Sequence, residues 1–305
     1  MSFLSVTLGR ISPRFKTLNQ WAEIYRQLVN GRPIGDKTKA NRRGALTHVL
    51  AGLGGRTISA VRPHEVSAMI QRIAVLHPQT AKRVLFEAAD LFNEAMNYGW
   101  IDRNPASSVK APVCRIQRRR LTLDQWCAIR RHATEHMPPW VSRMLTLALA
   151  TGQRRSDLVK MRFSDVWDKH LHVEQVKTGA RLALPLAQRL DALGITLGEA
   201  IEDCRGYSVG TEFLLRKNNG APPGDASLSA RFEAAREGAL PSVSGIPASL
   251  HECRSLSERL YRAQGIDTMT LLGHKHQAMT DMYNDDRGLS RGQWKTLSLP
   301  NPKTS

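Results

Sequence analysis

The sequence predicts a mainly α-helical chain with one small β-hairpin, an α+β protein built in two parts. Three observations carry this. Apolar residues recur every three or four positions along most of the 305 residues, the signature of amphipathic helices. Apolar and polar residues alternate clearly in one place, 171–186, on either side of a Thr-Gly pair. A basic stretch between residues 98 and 120, marked by Gly99, Pro105 and Pro112, interrupts the helical pattern and divides a length sufficient for two domains.

Residues 1–17 form a basic N-terminal lead. Leu18, Trp21, Ile24, Tyr25 and Leu28 then recur at helical spacing. The segment GRPIGDKTKANRR, 31–43, reads as a basic loop running into a helix, with helices predicted near 40–52, 64–75 and 78–98. The first 60 residues hold ten Lys or Arg against two acids. An interspersed charge pattern would read as a solvated face, but a one-signed pattern fits a helical module lying on a DNA backbone. Lys37, Lys39, Arg42 and Arg43 are the candidate contacts. The module is expected to span 18–109.

Lys110, Arg115, Arg118, Arg119 and Arg120 follow without an intervening acid. The stretch 110–120 reads as an exposed interdomain linker, and Arg118, Arg119 and Arg120 as DNA contacts. Leu121-Thr122-Leu123-Asp124-Gln125 carries a Thr-x-x-Gln capping box, which announces a new helix and a second domain. In 171–186, Leu171, Val173 and Gln175 alternate with polar neighbours, Thr178-Gly179 turns, and Leu182 and Leu184 resume the alternation. Lys177 sits at the tip of this hairpin. The remainder to about residue 290 reads as mostly helical.

Composition narrows the function classes. Hydrophobic residues make up 41% of the chain, enough for a packed core, and the formal net charge is +17. That excess points to a polyanionic partner, most simply nucleic acid. No apolar run is long enough to span a bilayer, and the segment MSFLSVTLGR lacks the charged and apolar regions of a signal peptide. Four cysteines without a C-x-x-C pair indicate neither a zinc site nor a disulfide framework, and a reducing cytoplasm is the expected compartment.

Three short stretches carry the chemistry. In ATGQRRSDL, 150–158, an apolar run stops at Thr151-Gly152 and is followed by Arg154, Arg155 and Asp157. Arginine is rarely buried without a partner, and Asp157 is three residues from Arg154 on the same turn. In HECRSLSERLY, 251–261, His251 and Arg254 share a helix face, a spacing suited to clamping a phosphate. In LLGHKHQAMTDMY, 271–283, Gly273 ends a helix, His274 follows it, and Tyr283 trails in an acidic setting. Each stretch alone is also what an ordinary surface shows.

Arg in TGxR, Lys on a hairpin turn, H-x-x-R, LLGH and a trailing Tyr occur here in one fixed order. With them the chain resembles the tyrosine recombinases, most closely the phage integrases of the lambda type. The resemblance is carried by TGQRRSDLVKMRFSDV (151–166), LHVEQVKTGARLALPL (171–186), HECRSLSERLY (251–261) and LLGHKHQAMTDMYNDDRG (271–288). It covers 121–290 well and 18–110 loosely. It implies an N-terminal SAM-like core-binding domain and a C-terminal tyrosine-recombinase catalytic domain. It also implies cutting and rejoining of DNA through a 3′-phosphotyrosine, in a prophage or mobile-element integrase associated with the bacterial nucleoid. Tyr283 would be the nucleophile, Arg154, Arg254 and His274 the phosphate donors, His251 the proton acceptor and Lys177 the general acid. Asp157 would orient Arg154, while Arg155 reads as a general DNA or surface contact. No metal and no cofactor are implied.

The implied partners are double-stranded attachment sites, a homotetramer on two duplexes, a host DNA-bending protein and an excision factor. The tail 291–305 would dock on a neighbouring protomer. About 17 residues before the first helix leave little room for the separate arm-binding domain of lambda-type integrases. A chromosome-dimer resolvase, a type IB topoisomerase and a catalytically silent DNA-binding relative remain alternatives at this point.

Overall fold

The computed structural model describes residues 16–114, 119–207, 209–241 and 245–285. The residues 1–15, the linker positions 115–118 with Arg118 among them, and the tail 291–305 lie outside the described residues. The chain divides into two compact units, 1–116 and 117–305.

The first unit holds α1 (Leu18–Gly31), α2 (Asp36–Leu53), α3 (Pro63–Ala74) and α4 (Pro78–Asn97). Thr17 caps α1 in a box with Gln20, leaving its first amides satisfied. Leu18, Trp21, Ala22, Tyr25 and Val29 form the buried stripe of α1, and the Trp21 indole donates to Leu91 O of α4 at 3.0 Å. Asp36 opens α2 where an acid complements the helix dipole.

One expected DNA contact here needs correction. The Arg42 guanidinium turns inward, donates to the Tyr25 hydroxyl at 2.6 Å, and pairs with Glu87 and Asp90 of α4. Arg32 pairs with Asp90 as well. Burial holds the Glu87 carboxyl above its ordinary range, despite bonds from Tyr25 and Arg42 that pull it down. Arg42 therefore fastens α2 to α4. Lys37 and Arg43 are exposed, and half-buried Lys39 donates to Asn30 O at 2.6 Å.

The second unit opens with α5 (Leu123–His136), capped by Thr122 and Gln125 as the sequence predicted. The next helix, α6 (Pro139–Thr151), is apolar and buried on nearly every side, which makes it the centre of the unit. It packs against α5, α8 (Leu197–Tyr207), α9 (Asp225–Ala239) and α10 (His251–Ala263). A single turn, α7 (Arg155–Leu158), leads to an antiparallel sheet of β1 (Val166–Trp167), β2 (His170–Glu174) and β3 (Arg181–Pro185). The predicted hairpin is β2–β3, with His172 opposite Ala183. A second pair, β4 (Arg189–Leu190) and β5 (Ile195–Thr196), was not foreseen, because two-residue strands are too short to alternate visibly. Two further helices, α11 (Thr268–Leu272) and α12 (Gln277–Asn284), complete the described unit. No helix among the described residues is long and apolar enough to cross a membrane.

Arg120 is a second correction. The sequence reading exposes it on DNA, yet only 3% of it is accessible. It is engaged with Glu252 at 3.0 Å and with two carbonyls at the end of α12. Arg119, its neighbour, is exposed.

Candidate active site

The site is built from the ends of helices. Gly152 ends α6 in the left-handed region at φ 63°, and a Cβ there would lie 2.9 Å from Ser257 Oγ. Only glycine closes the helix there without strain. Two residues later, Arg154 donates from Nη1 to Gln175 Oε1 at 2.7 Å. Gln175 is buried just beyond β2, and its amide donates to Gln153 Oε1 at 2.8 Å and to Leu272 O at 3.0 Å. Gln153 in turn donates to Leu271 O at 2.8 Å. A pair of buried glutamines thus ties the Arg154 segment, the hairpin and the end of α11 together. Asp157 was expected to orient Arg154. Its Oδ1 instead accepts from Val176 N at 2.9 Å, so it anchors the hairpin, and Gln175 holds the arginine.

Arg254 lies within α10 with only 1% of its surface accessible. It donates to Gly152 O at 2.7 Å, to Leu272 O at 2.5 Å and to His274 Nε2 at 3.1 Å. Among the described residues, no carboxylate pairs with Arg254 or with Arg154 within salt-bridge distance. Burial and the neighbouring Arg154 pull the Arg254 guanidinium down to about 10, still charged at neutral pH. A buried cation carries a large desolvation cost unless an anion joins it.

His274 follows Gly273, which caps α11 at φ 61°. Because a guanidinium only donates, Nε2 of His274 accepts and Nδ1 carries the proton, donated to Thr280 Oγ1 at 2.9 Å. Burial, then Arg254 and Arg154, lower this imidazole to about 4 and keep it neutral. The sequence reading makes His274 a phosphate donor; to donate through Nε2, the ring must first gain a proton or change tautomer.

Tyr283 lies on α12 with its hydroxyl 3.2 Å from His251 Nε2, and the Arg254 Cζ is 5.7 Å from its ring. Lys177 is exposed on the loop between β2 and β3. A cleft of about 700 Å³ is lined by Arg154, Lys177, His251, His274 and Tyr283 together. Arg254 joins them through His274 and the Tyr283 ring. A larger hollow of about 890 Å³ against the sheet contains none of these six residues. The cleft therefore offers two guanidinium groups and an ammonium around a phenol that is hydrogen-bonded to an imidazole. Such a set can hold an anionic tetrahedral group beside a nucleophile.

The model of the phage integrase family matches residues 119–288, and that of the phage integrase central domain matches 19–112. The chain belongs to the phage integrase family. A prophage integrase of Escherichia coli K12 is 37% identical over 297 residues, covering 93% of this chain and 78% of the relative. The integrase of phage lambda is 35% identical over 286 residues, covering 93% of this chain and 79% of that one. Among solved structures, a lambda integrase (75–356) dimer bound to a COC′ core site has a TM-score of 0.87 and 33% identity, covering 93% of this chain and 100% of that chain. A lambda integrase tetramer bound to a Holliday junction has the same score and identity, with 93% and 80% covered. The integrase is thus a tyrosine-type site-specific recombinase of the lambda kind, with a helical central domain and a catalytic domain.

The six integrase residues read from the sequence meet around one cleft. Sequence reasoning missed Gln153, Gln175 and Thr280, the polar groups that orient them, and Ser255, whose hydroxyl donates to Tyr283 O at 2.8 Å. Their partners lie far away in sequence or in a neighbouring helix, so no local spacing announces them.

Proposed function

We propose that this recombinase cuts and rejoins DNA at attachment sites through a covalent bond between Tyr283 and a 3′-phosphate. The observation that supports this most is the buried, carboxylate-free Arg254 beside Arg154, a cationic socket next to the Tyr283–His251 pair. The phenol of a free tyrosine titrates near ~10, so attack near neutral pH needs a proton acceptor. The Tyr283 proton passes to His251, and the phenolic oxygen forms a bond to phosphorus. Arg154 and Arg254 stabilise the charge that grows on the non-bridging oxygens. The bond from phosphorus to the 5′-oxygen breaks, and the Lys177 ammonium gives that oxygen its proton. Rejoining is the reverse attack by a 5′-hydroxyl of another duplex, so the phosphate-bond energy is conserved throughout.

The reading extends to a tetramer on two duplexes, on the precedent of the lambda integrase tetramer on a Holliday junction. A host DNA-bending protein and an excision factor are the accessory partners, and the cytoplasm is the compartment.

The test is a nicked substrate whose cleaved 5′-end diffuses away. The wild type accumulates a protein–DNA adduct that survives boiling in detergent, with or without EDTA. Tyr283→Phe forms none while binding DNA within about threefold, because affinity rests on many phosphate contacts. An adduct from the Phe variant makes another residue the nucleophile, and loss of wild-type activity on chelation overturns the metal-free scheme.

A further inference from the structure

We infer that Arg120 is a positioning residue for strand cleavage, acting on Tyr283 through the backbone of the helix that carries it; this rests on Tyr283 being the nucleophile. The helix α12 has eight residues, and the last carbonyls of any helix lack partners within it. Arg120 supplies them. Its Nη2 donates to Met282 O at 2.6 Å and its Nε to Asp285 O at 2.7 Å, on either side of the tyrosine. Ser255 Oγ of α10 takes the Tyr283 carbonyl itself at 2.8 Å. The remaining arm of the guanidinium, Nη1, reaches Glu252 Oε2 at 3.0 Å, and both side chains are 2% accessible. Glu252 is the residue after His251.

One planar fork therefore spans the two helices whose side chains form the reacting pair. It grips α10 one residue from the proton acceptor and α12 one residue before the nucleophile. The hydroxyl-to-imidazole distance of 3.2 Å depends on the relative placement of these two helices. A cation held on three sides and 3% accessible presents no surface to a DNA phosphate, which separates Arg120 from exposed Arg119. Arg120 lies just ahead of α5, so the start of that helix and the tyrosine helix share one anchor.

The experiment measures adduct formation at saturating DNA, DNA affinity and melting temperature for Arg120→Met, Arg120→Lys and Ser255→Ala. A displacement of about 1 Å at a reacting group costs roughly 100-fold in rate, so Arg120→Met should slow adduct formation on that scale with affinity within about threefold. Arg120→Lys keeps the charge beside Glu252 but only a point donor, and should recover part of the rate. Ser255→Ala, which removes one cap and no charge, should slow cleavage several-fold. Unchanged cleavage in Arg120→Met, or a loss confined to affinity, overturns the assignment. If Arg120→Met fails to fold, the other two variants decide: wild-type rates at saturating DNA in both overturn it. Tyr283→Phe runs alongside; an adduct from that variant overturns the nucleophile instead, independently of how the Arg120 variants behave.

Discussion

The Gln175 side chain does for Arg154 what an acid would do elsewhere, without cancelling its charge. A carboxylate would compete with phosphate for the guanidinium, whereas a neutral amide orients the arginine and leaves it cationic. Gln175→Leu removes the acceptor from Arg154 and strands polar groups around it, a loss of about 1–3 kcal/mol. If that loss falls on the transition state, cleavage slows by roughly 10- to 100-fold, with DNA affinity almost unchanged. A variant that cleaves normally would show that Arg154 is held by phosphate alone. His274 gives a pH-dependent counterpart. Its folded value of about 4 lies below the ordinary 6.5, so between those values the unfolded chain binds more protons. Stability from this group is therefore present above 6.5 and is lost as pH falls toward 4. Melting of the DNA-free protein at pH 7, 6, 5 and 4.5 should show a decline that His274→Gln makes shallower; parallel curves would remove His274 as the cause. The cationic and nucleophilic residues were legible because their spacing is local: H-x-x-R lies on one helix and LLGH on one cap. The glutamines were not, since Gln175 meets Gln153 and Leu272 only after folding. Asp157 shows the opposite error, where local spacing suggested a partner that tertiary structure reassigned.

At the level of elements, two left-handed glycines set the site. Gly152 ends α6 and offers its carbonyl to Arg254, and Gly273 ends α11 so that His274 turns back toward the same arginine. Gly152→Ala must place a side chain in left-handed backbone, which costs about 1–2 kcal/mol. The new Cβ also crowds Ser257. The melting temperature should drop by several degrees, and cleavage should fall further than stability alone explains, because the Arg254 acceptor moves. Calorimetry with single-turnover cleavage checks this, and an Ala variant as stable and active as wild type would refute it. Most helices were readable to within a few residues, because amphipathic stripes such as Leu18, Trp21 and Tyr25 announce themselves. The Thr122–Gln125 box marked the start of α5 correctly. An equivalent Thr17–Gln20 box opens α1. The strands β4 and β5 stayed hidden for lack of length. Arg42 and Arg120 were misread for a common reason: a basic residue in a basic stretch looks exposed, and only tertiary structure reveals the acids and carbonyls waiting for it.

For the whole molecule, the charge of +17 is the dominant quantity, and the structure divides it into cations already engaged and cations available to a partner. Arg42, held by Glu87 and Asp90, and Arg120, held by Glu252, belong to the first class. Exposed Lys37, Arg43 and Arg119 belong to the second. Binding to duplex DNA through phosphates releases counterions, so the logarithm of the affinity falls linearly with the logarithm of salt, by about 0.9 for each phosphate neutralised. Each of Lys37→Gln, Arg43→Gln and Arg119→Gln should then reduce that slope by about 1 and weaken specific and non-specific DNA alike. Arg42→Gln should behave differently. It removes a cation from between two carboxylates, so the first unit should melt at lower temperature while the salt slope stays at the wild-type value. Binding isotherms at four potassium chloride concentrations, paired with melting curves, separate the two classes. A slope change in Arg42→Gln without loss of stability would return that residue to the DNA surface, and unchanged slopes in all three exposed variants would move the phosphate-binding face elsewhere on the protein.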